Sequence, residues 1–334
     1  MLTSYFGDRN STPAVPCVAA QKHQHRPEWE QTDFSPSPMT TPIGFTCDLG
    51  ECLAPQELAS GESLTAPRIT AAVTKLLDRK EMQDPRAIEA IQAEGKALIE
   101  ESTWLEESVI EKSDLREKAQ NSGETIHLGE LLTICSIKFH ECVKEMWKWK
   151  GRICFRGDIV KDADGAWAVF QELTASPVAI QDANANVAYG AIPGHKTTVS
   201  DAVRAYIQSL LNSKHRTYVA IPHVLWPKHW FGKYKKPMCL LKKALYGHPE
   251  SGAHWERHLT EAVTKIGGVK IDGHPSSFWF ENDKLLLSVY VDDLLLSGPE
   301  DAHEAFWKKL ASVGIRLDAA EPLDRFLGRN HLVM

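Results

Sequence analysis

The feature that most restricts the fold of this 334-residue chain is a pair of apolar runs separated by two adjacent aspartates. Residues 284–291 read Lys-Leu-Leu-Leu-Ser-Val-Tyr-Val and residues 294–298 read Leu-Leu-Leu-Ser-Gly, with Asp292 and Asp293 between them. Short apolar runs bounded by turn-forming residues are typical of buried strands. We therefore predict a β-hairpin with two carboxylates at its tip.

The pair Asp292 and Asp293 has two interpretations. Aspartate favours turn positions, so the pair could simply shape the turn. Carboxylates crowded at the end of a buried element, however, repel one another unless a cation neutralises them. Because Mg²⁺ is bound by one or two carboxylates together with substrate phosphates, the pair also fits a magnesium site.

A two-metal phosphoryl transfer is best served by carboxylates from more than one segment of the chain. Residues 196–201 read Lys-Thr-Thr-Val-Ser-Asp, a β-branched run that ends in Asp201. We predict that residues 201–211 are helical. Taken alone, Asp201 fits the N-cap of such a helix, so its assignment to a metal site depends on a matching motif elsewhere.

The charge of the chain is unevenly distributed. Its net charge is -6, but from Lys144 to Arg257 there are 17 lysines and arginines against 9 aspartates and glutamates, a local balance of +8. The rest of the chain holds 21 against 35, or -14. A basic centre between acidic ends fits polyanion binding as well as ordinary solvated faces, and charge alone does not separate the two.

Several protein classes are disfavoured by composition. No run of about 18 apolar residues is present, so we predict no membrane span. Residues 1–8 lack the basic start and apolar run of a secretory signal, which predicts an intracellular protein, cytoplasmic or nuclear. The seven cysteines form no CxxC pair, so neither a disulfide framework nor a zinc ribbon is indicated. His254 and His258 are one helical turn apart, but Glu256 does not directly follow the first histidine as in a zinc protease.

Three segments are predicted. Residues 1–67 contain 8 of the 18 prolines and lack periodic apolar positions, so we predict a disordered tail. In residues 68–137, apolar positions such as Ile91 and Leu98 recur at helical spacing, which predicts a helical lead-in. Residues 138–334 mix both textures, and the predicted class is α+β.

Within the third segment, strand-like and helix-like runs alternate. The β-like runs are residues 152–155 and 217–221, and besides the run that starts at Asp201 a helical run covers residues 252–266. Residues 121–123, Asn-Ser-Gly, are predicted to end the helices of the lead-in.

Several blocks of this chain resemble the reverse transcriptases of copia-type retrotransposons. Residues 290–293, Tyr-Val-Asp-Asp flanked by leucines, resemble the palm-hairpin signature of that family. Residues 201–208 are similar to its Asp-Val-x-x-Ala-Phe-Leu-Asn pattern. Residues 243–247 match its Lys-Ala-Leu-Tyr-Gly, and Trp255 follows eight residues after the glycine as in the family.

Weaker blocks occur in the same order as in the family. They are similar to Ala-Met-x-x-Glu-x-x-x-Leu, Asn-x-Thr-Trp, Lys-x-Lys-Ala-Arg-Leu-Val-x-Lys-Gly, Tyr-Met-x-Gln-Pro and Leu-x-x-Phe-Leu-Gly. The corresponding segments are residues 90–98, 101–104, 148–157, 218–222 and 323–328.

The resemblance implies an RNA-directed DNA polymerase with the palm and fingers of a right-hand fold. Such an enzyme uses two Mg²⁺ ions, an RNA or DNA template–primer and deoxynucleoside triphosphates. On this basis residues 138–334 are expected to form the fingers and palm, with the thumb and ribonuclease H absent. The alternative is a catalytically silent retrotransposon remnant that at most binds nucleic acid.

The resemblance also implies roles for individual residues. Asp201 and Asp292 would bind both Mg²⁺ ions, with Asp293 as a secondary ligand. Tyr206 would pack under the incoming sugar and clash with a 2′-hydroxyl, which would favour deoxynucleotides. The alternative for Tyr206 is an ordinary core aromatic.

Two basic residues and a glycine complete the predicted site. Lys150 and Arg152 share a strand face by the two-residue period and would reach the triphosphate, although a solvated strand face is equally consistent. Gly247 would lie near the template and the nucleotide base. Glu250 replaces a glutamine of the family and is expected to repel a polyanion.

Overall fold

The computed structural model describes residues 74–171 and 175–331, and the predicted tail over residues 1–67 lies outside them. The described chain mixes helices and sheets, which confirms the predicted α+β class. The α-helices are α1 (Pro85–Glu100), α2 (Lys112–Ser122), α3 (Ile180–Gly190), α4 (Ser251–Lys265) and α5 (Ala302–Ser312). Short 3₁₀ helices cover Glu81–Gln83, Lys144–Met146, Gly157–Ile159, Ala205–Gln208, His223–Leu225 and Lys228–Trp230.

The strands form two larger sheets and one small ribbon. They are β1 (Thr74–Leu76), β2 (Trp104–Glu111), β3 (Ile126–Lys138), β4 (Lys148–Phe155), β5 (His195–Asp201), β6 (Arg216–Ala220), β7 (Pro237–Leu241), β8 (Val269–Lys270), β9 (Ser277–Phe280), β10 (Leu285–Tyr290), β11 (Asp293–Pro299), β12 (Glu321–Pro322), β13 (Arg325–Phe326) and β14 (Arg329–Asn330).

The first sheet has the order β1-β3-β6-β7-β2, and β4 pairs with the second half of β3. We call β3, β4 and their connection the basic hairpin. Its inner face packs on α1, where Gly151 permits close approach because a Cβ there would lie 2.3 Å from the Ala90 carbonyl oxygen. The outer face of β4 remains exposed to solvent.

The second sheet has the order β12-β5-β11-β10-β9-β8, with antiparallel pairing throughout. We call β10 and β11 the acidic hairpin. One face of the hairpin packs on α4 and α5 and the other on α3. Leu285, Leu287, Leu294, Leu295 and Leu296 are all completely buried. Burial on both faces explains why these strands are almost continuously apolar.

The predicted apolar hairpin is confirmed, with Asp292 in its turn and Asp293 at the start of β11. The predicted strands at residues 152–155 and 217–221 correspond to β4 and β6, and the predicted helix at 252–266 corresponds to α4. The glycine that follows α2 has a left-handed backbone, as expected for a helix-ending residue.

The predicted helix at residues 201–211 is wrong. Asp201 belongs to β5, where it pairs with Asp293, and the only helical part of the segment is the 3₁₀ helix Ala205–Gln208. Arg204 has φ of 52°, a left-handed conformation that an α-helix cannot contain. Strand pairing with a distant segment therefore overrides the local helical pattern.

The predicted helical lead-in is only partly helical. Helices α1 and α2 lie within residues 68–137, but so do β2 and all except the last residue of β3. β2 pairs with β7 and β3 pairs with three other strands, so both depend on segments far away in the sequence. Within the described ranges, no helix combines the length and the apolarity needed to cross a membrane.

Candidate active site

The three aspartates singled out from the sequence lie together at one end of the second sheet. The antiparallel register of β5 and β11 places Asp201 directly opposite Asp293, so the two side chains lie on the same face. Val291 and Asp292 form the two-residue turn of the acidic hairpin. The Ala202 N–H donates to the Asp292 carbonyl oxygen at 2.7 Å, which ties the turn to the end of β5.

The turn of the acidic hairpin is conformationally strained. Val291 has φ of 58°, a region that a β-branched residue rarely adopts and that costs about 1–3 kcal/mol. The indole N–H of Trp255, a buried residue of α4, donates to the Val291 carbonyl oxygen at 2.6 Å. Helix α4 therefore stabilises the conformation that presents Asp292.

The site concentrates negative charge. Burial, followed by the charges of Asp292 and Asp201, raises the pKa of Asp293 to about 6. The pKa of Asp201 is also raised, first by burial and then by the charge of Asp292. Asp318 and Glu321 raise the Asp201 pKa further, whereas a side-chain hydrogen bond with Asp293 lowers it, so four other carboxylates act on Asp201. Such a cluster favours a bound cation.

Two tyrosines flank the carboxylates. The Tyr246 hydroxyl donates to Asp292 Oδ2 at 3.5 Å, and its ring meets Tyr206 edge-to-face with 4.5 Å between centroids. Burial, followed by the charge of Asp292, raises the Tyr246 pKa to about 12, so its hydroxyl stays protonated near neutral pH. Tyr206 packs against the core of the second sheet and is half-buried, with one part directed towards Tyr246.

The basic residues predicted to contact the triphosphate lie on β4. Lys150 and Arg152 are exposed, whereas Gly151 and Ile153 between and after them are buried, so the expected alternation is observed. The positive charge of Arg152 acts on Tyr246 and lowers its pKa against the larger effect of burial. The Phe155 N–H at the end of β4 donates to the Tyr246 carbonyl oxygen, and the Tyr246 hydroxyl donates to Asp292, so the end of β4 lies close to the carboxylate edge.

Further positive charge surrounds Lys150. Although the side chain is exposed overall, partial desolvation lowers its pKa first, followed by the neighbouring charges of Lys138 and Arg152, while Glu94 opposes this shift and Arg204 adds a smaller contribution to it. Arg204 lies in the turn after β5 and pairs with Glu94 of α1 at 3.1 Å. The acidic and the basic parts of the site thus meet around the turn that carries Tyr206.

Gly247 is positioned by a close backbone contact. Its φ is 87°, and a Cβ at this position would lie 2.0 Å from the Phe155 carbonyl oxygen. The Phe155 N–H donates to the Tyr246 carbonyl oxygen at 2.6 Å. Only glycine therefore allows the segment that carries Tyr246 to pack against the end of β4.

Glu250 was expected to face and repel a polyanion, but its position is different. The residue is buried, with 3% of its surface exposed, and its Oε1 accepts a hydrogen bond from the Gln171 N–H at 3.0 Å. Because the carboxylate lies inside the protein and bonds to backbone, the expectation of direct repulsion is wrong.

Sequence reasoning missed three contributors to this site. Tyr246 was part of a matched motif but had no assigned role, and Asp318 and Glu321 were not recognised at all. The Asp318 N–H donates to the Asp201 carbonyl oxygen at 2.9 Å, and Glu321 of β12 pairs with Val199. These contacts join segments more than a hundred residues apart, and no local pattern indicates them.

The donor chemistry at the carboxylate edge fits Mg²⁺. Hard carboxylate oxygens are the ligands this ion prefers, and it needs only one or two of them because water and phosphates complete its shell. Asp201, Asp292 and Asp293 supply such oxygens. Among the described residues, no group of three or more His, Cys, Asp or Glu side chains is placed so that it could hold a metal ion with the side chains as they stand. The fit therefore rests on donor type and strand register.

Comparison of the sequence with protein-family models and with curated proteins gives no match. The functional argument consequently depends on the residues of this chain and on their geometry. The central arrangement is the carboxylate edge, Asp201 with Asp292 and Asp293, which Tyr246 connects to the end of β4.

Proposed function

We propose that this chain is an RNA-directed DNA polymerase of the copia-type retrotransposon class. In this proposal the second sheet with α4 is the palm, and the basic hairpin with α1 belongs to the fingers. The observation that carries the proposal is the pairing of Asp201 with Asp293 beside Asp292. That register joins two aspartates 92 residues apart, and a polymerase needs both motifs at one site.

The three aspartates are proposed to hold two Mg²⁺ ions. When bound, these ions would activate the primer 3′-hydroxyl and neutralise charge on the leaving pyrophosphate. Asp201 and Asp292 are the main ligands, and Asp293 lies beside them as a secondary ligand. With a pKa of about 6, Asp293 is mostly ionised near neutral pH and contributes negative charge there. The strained turn keeps Asp292 at the end of the sheet.

The remaining residues are proposed to bind and select the nucleotide. Arg152 offers a planar fork for phosphate oxygens and Lys150 a point charge, which suits a triphosphate that approaches from the fingers side. Tyr206 would pack under the deoxyribose and exclude a 2′-hydroxyl. Gly247 would lie near the template and the base, where it maintains the position of Tyr246. The substrates are a template–primer and deoxynucleoside triphosphates.

Primer extension by the purified full chain tests this function. An RNA template annealed to a DNA primer is incubated with deoxynucleotides and Mg²⁺, and the variants Asp201→Asn and Asp292→Asn are compared with wild type. We expect extension to fall on the order of 1,000-fold in each, the scale of losing one electrostatic group at a reaction centre. Asp283→Asn, an exposed aspartate beyond the other end of β10, is the matched control and should extend normally.

The outcomes separate the two functional hypotheses. No product from wild type under any Mg²⁺ concentration would indicate a silent remnant that at most binds nucleic acid. Extension by Asp292→Asn at the wild-type rate would contradict the assigned site. A product that forms with a ribonucleotide as readily as with a deoxynucleotide would contradict the role of Tyr206.

A further inference from the structure

Glu101, the residue that follows α1, joins three segments of the chain through its carboxylate. Its Oε2 accepts a hydrogen bond from the Lys243 ammonium group at 3.1 Å, and its Oε1 accepts one from the Arg316 guanidinium group. We call these three residues the ionic clamp. The Glu101 side chain is only 22% exposed, so water screens these contacts less than it screens an ordinary surface ion pair.

Arg316 lies in a segment that pairs with the end of β5. Its carbonyl oxygen accepts a hydrogen bond from the Val203 N–H at 2.9 Å, and the Asp318 N–H donates to the Asp201 carbonyl oxygen at 2.9 Å. The residues between these two bonds form an antiparallel bridge. A displacement of Arg316 is therefore transmitted to Asp201 through backbone pairing.

Gln208 fixes the backbone of Arg316 a second time. Its Oε1 accepts a hydrogen bond from the Arg316 N–H at 2.8 Å, and its Nε2 donates to the carbonyl oxygens of Arg316 and Val203 at 3.0 and 2.8 Å. The Arg316 backbone is therefore held beside the second sheet, while its side chain reaches across to Glu101, between α1 and β2 of the first sheet. The ionic clamp thus connects the two regions.

Lys243 connects the ionic clamp to the other flank of the carboxylate edge. It lies three residues before Tyr246, whose hydroxyl donates to Asp292. The Lys243 N–H donates to the Thr103 carbonyl oxygen at 3.1 Å, which keeps Lys243 beside the start of β2. Glu101 consequently restrains both segments that lead to the carboxylate edge, one through each cation.

The ionic clamp depends on the charge of Glu101. The hydrogen bond from Arg316 lowers the pKa of Glu101 most, burial opposes this shift, and the hydrogen bond from Lys243 lowers the pKa further. The carboxylate is therefore ionised near neutral pH and lies between two cations. Without its negative charge, Lys243 and Arg316 would repel each other, and the segments that carry them would separate.

We propose that Glu101 is a positioning residue for nucleotidyl transfer. Its carboxylate holds Lys243 and Arg316 together and thereby sets the position of Asp201 relative to Tyr246. Glu101 acts through these two cations rather than on the reacting groups. This inference rests on the proposed polymerase function and deepens it, because it assigns control of the geometry of the site to a residue outside the three aspartates.

This role predicts a separation of kcat from KM. Carboxylates that hold metal ions must keep a narrow geometry, so a shift of Asp201 should slow the chemical step. Lys150 and Arg152 are not part of the ionic clamp, so nucleotide binding should be maintained. In primer extension by the full chain, we expect Glu101→Gln to lower kcat by about 10- to 100-fold with an unchanged KM for the nucleotide, the scale of a small misplacement at a reaction centre.

Glu100→Gln is the matched control. Glu100 directly precedes Glu101, but its side chain is 65% exposed and pairs within α1, with Lys96 at 3.8 Å. This variant should extend primers like wild type. Arg316→Lys keeps a positive charge for Glu101 and should therefore retain more activity than Arg316→Gln.

A double-mutant cycle tests whether Glu101 acts through Arg316. If it does, Glu101→Gln and Arg316→Gln together should lower kcat by less than the product of the two single losses, because both changes break the same contact. Losses that multiply would show that the two residues act independently and would contradict the proposed role.

Hydrogen exchange reports on the ionic clamp without any reaction. The Val203 and Asp318 amides pair residues 316–318 with the end of β5. In Glu101→Gln they should exchange about 10-fold faster than in wild type, since a hydrogen bond to a charged group stabilises local structure by roughly that factor. The same amides should exchange at the wild-type rate in Glu100→Gln. Circular dichroism checks that each variant is folded.

The outcomes distinguish this inference from the function on which it rests. No extension by the wild-type chain would overturn the polymerase function and, with it, the role of Glu101 in that reaction. Extension by wild type with an equal kcat for Glu101→Gln, or wild-type exchange of the Val203 and Asp318 amides in that variant, would overturn the role of Glu101 alone. A rise in KM with kcat unchanged would overturn it as well, because it would place Glu101 in nucleotide binding.

Discussion

The acidic hairpin and the basic hairpin differ in how they present charge. The acidic hairpin has a two-residue turn, and its strands are buried on both faces. Its charges sit on short side chains whose positions follow from the strand register. The basic hairpin has a connection over residues 139–147 and leaves one face in solvent. Its charges sit on long side chains that can adjust to a partner.

This difference matches what each surface is proposed to do. Carboxylates that hold metal ions must keep a fixed geometry, and backbone pairing provides it for Asp201 and Asp293. Phosphates arrive with a mobile substrate, so Lys150 and Arg152 gain from flexible stems. The turn at Val291 is strained and held by Trp255, whereas Lys150 and Arg152 lie in regular β pairing on an exposed strand face.

We expect the largest effect on stability at Gly247, where the segment that carries Tyr246 packs against the end of β4. Gly247→Ala places a Cβ about 2.0 Å from the Phe155 carbonyl oxygen and keeps a left-handed φ of 87°. Because neither backbone can move freely, we expect the free energy of unfolding to fall by about 3 kcal/mol or more. Urea denaturation measures this change.

Gly165→Ala is the matched control for the joint. Gly165 has a similar φ of 91°, but a Cβ there would meet nothing within 4 Å. Its cost should therefore be only the backbone strain, about 1 kcal/mol. Equal destabilisation by the two variants would show that the contact between Gly247 and Phe155 contributes nothing.

The proposed role of the basic hairpin in binding phosphate is tested at Arg152. If Arg152 binds the triphosphate, Arg152→Ala should lower kcat/KM for the nucleotide by about 10- to 100-fold, mainly through a higher KM. Arg152→Lys keeps the positive charge but loses the planar guanidinium fork, so its kcat/KM should lie between those of wild type and Arg152→Ala. Arg325→Ala, which replaces an exposed arginine of β13, should have no effect. A fall in kcat without any rise in KM would contradict substrate binding.

The rigidity of the acidic hairpin is tested at its strained turn. Trp255→Phe removes the indole N–H that donates to the Val291 carbonyl oxygen, so we expect a loss of about 1–3 kcal/mol of stability. Trp279→Phe is the control, because its indole donates to the exposed carboxylate of Glu281 at 2.6 Å and water can replace that bond. Its cost should be below about 0.5 kcal/mol. Chemical denaturation measures the free energy of unfolding of both variants. Equal losses in Trp255→Phe and Trp279→Phe would show that Trp255 does not hold the turn.

The acidic hairpin could be predicted from the sequence because its evidence is local. Two apolar runs on either side of Asp292 and Asp293 specify strands and turn without reference to other segments. The partner of Asp293 could not be derived in this way. Its pairing with Asp201 depends on strand register over 92 residues of sequence, and only the resemblance to a known family indicated it.

Where local and tertiary preferences conflict, sequence reasoning gave the wrong structure. Residues 201–211 have a helical pattern, but pairing of β5 with β11 and the left-handed Arg204 prevent a helix. β3 is likewise a long strand because three other strands pair with it. The contribution of Asp318 could not be predicted either, because it depends on a tertiary contact: the loop that follows α5 brings Asp318 to Asp201.

The smallest expected effect concerns the repulsion within the acidic hairpin. The folded pKa of Asp293 is about 6, above its ordinary value of 3.8, so the folded state binds this proton more tightly than the unfolded state. The stability gained from the protonated form is complete below about pH 4 and is lost as the pH rises towards about 6. Asp293→Asn removes this loss, so the variant should be more stable than wild type near pH 7. We expect about 0.5 kcal/mol, because the group is half exposed and solvent screens the repulsion.

Thermal unfolding between about pH 4 and pH 7 checks this prediction through the difference between variant and wild type. The difference in stability between Asp293→Asn and wild type should grow as the pH rises through this range and then level off. Asp283→Asn should follow wild type at every pH. Added Mg²⁺ should stabilise wild type more than Asp293→Asn, since a ligand stabilises only the state that binds it. Parallel curves at every pH would mean that Asp201, Asp292 and Asp293 do not repel one another, and the case for a cation at this edge would then lose its electrostatic basis.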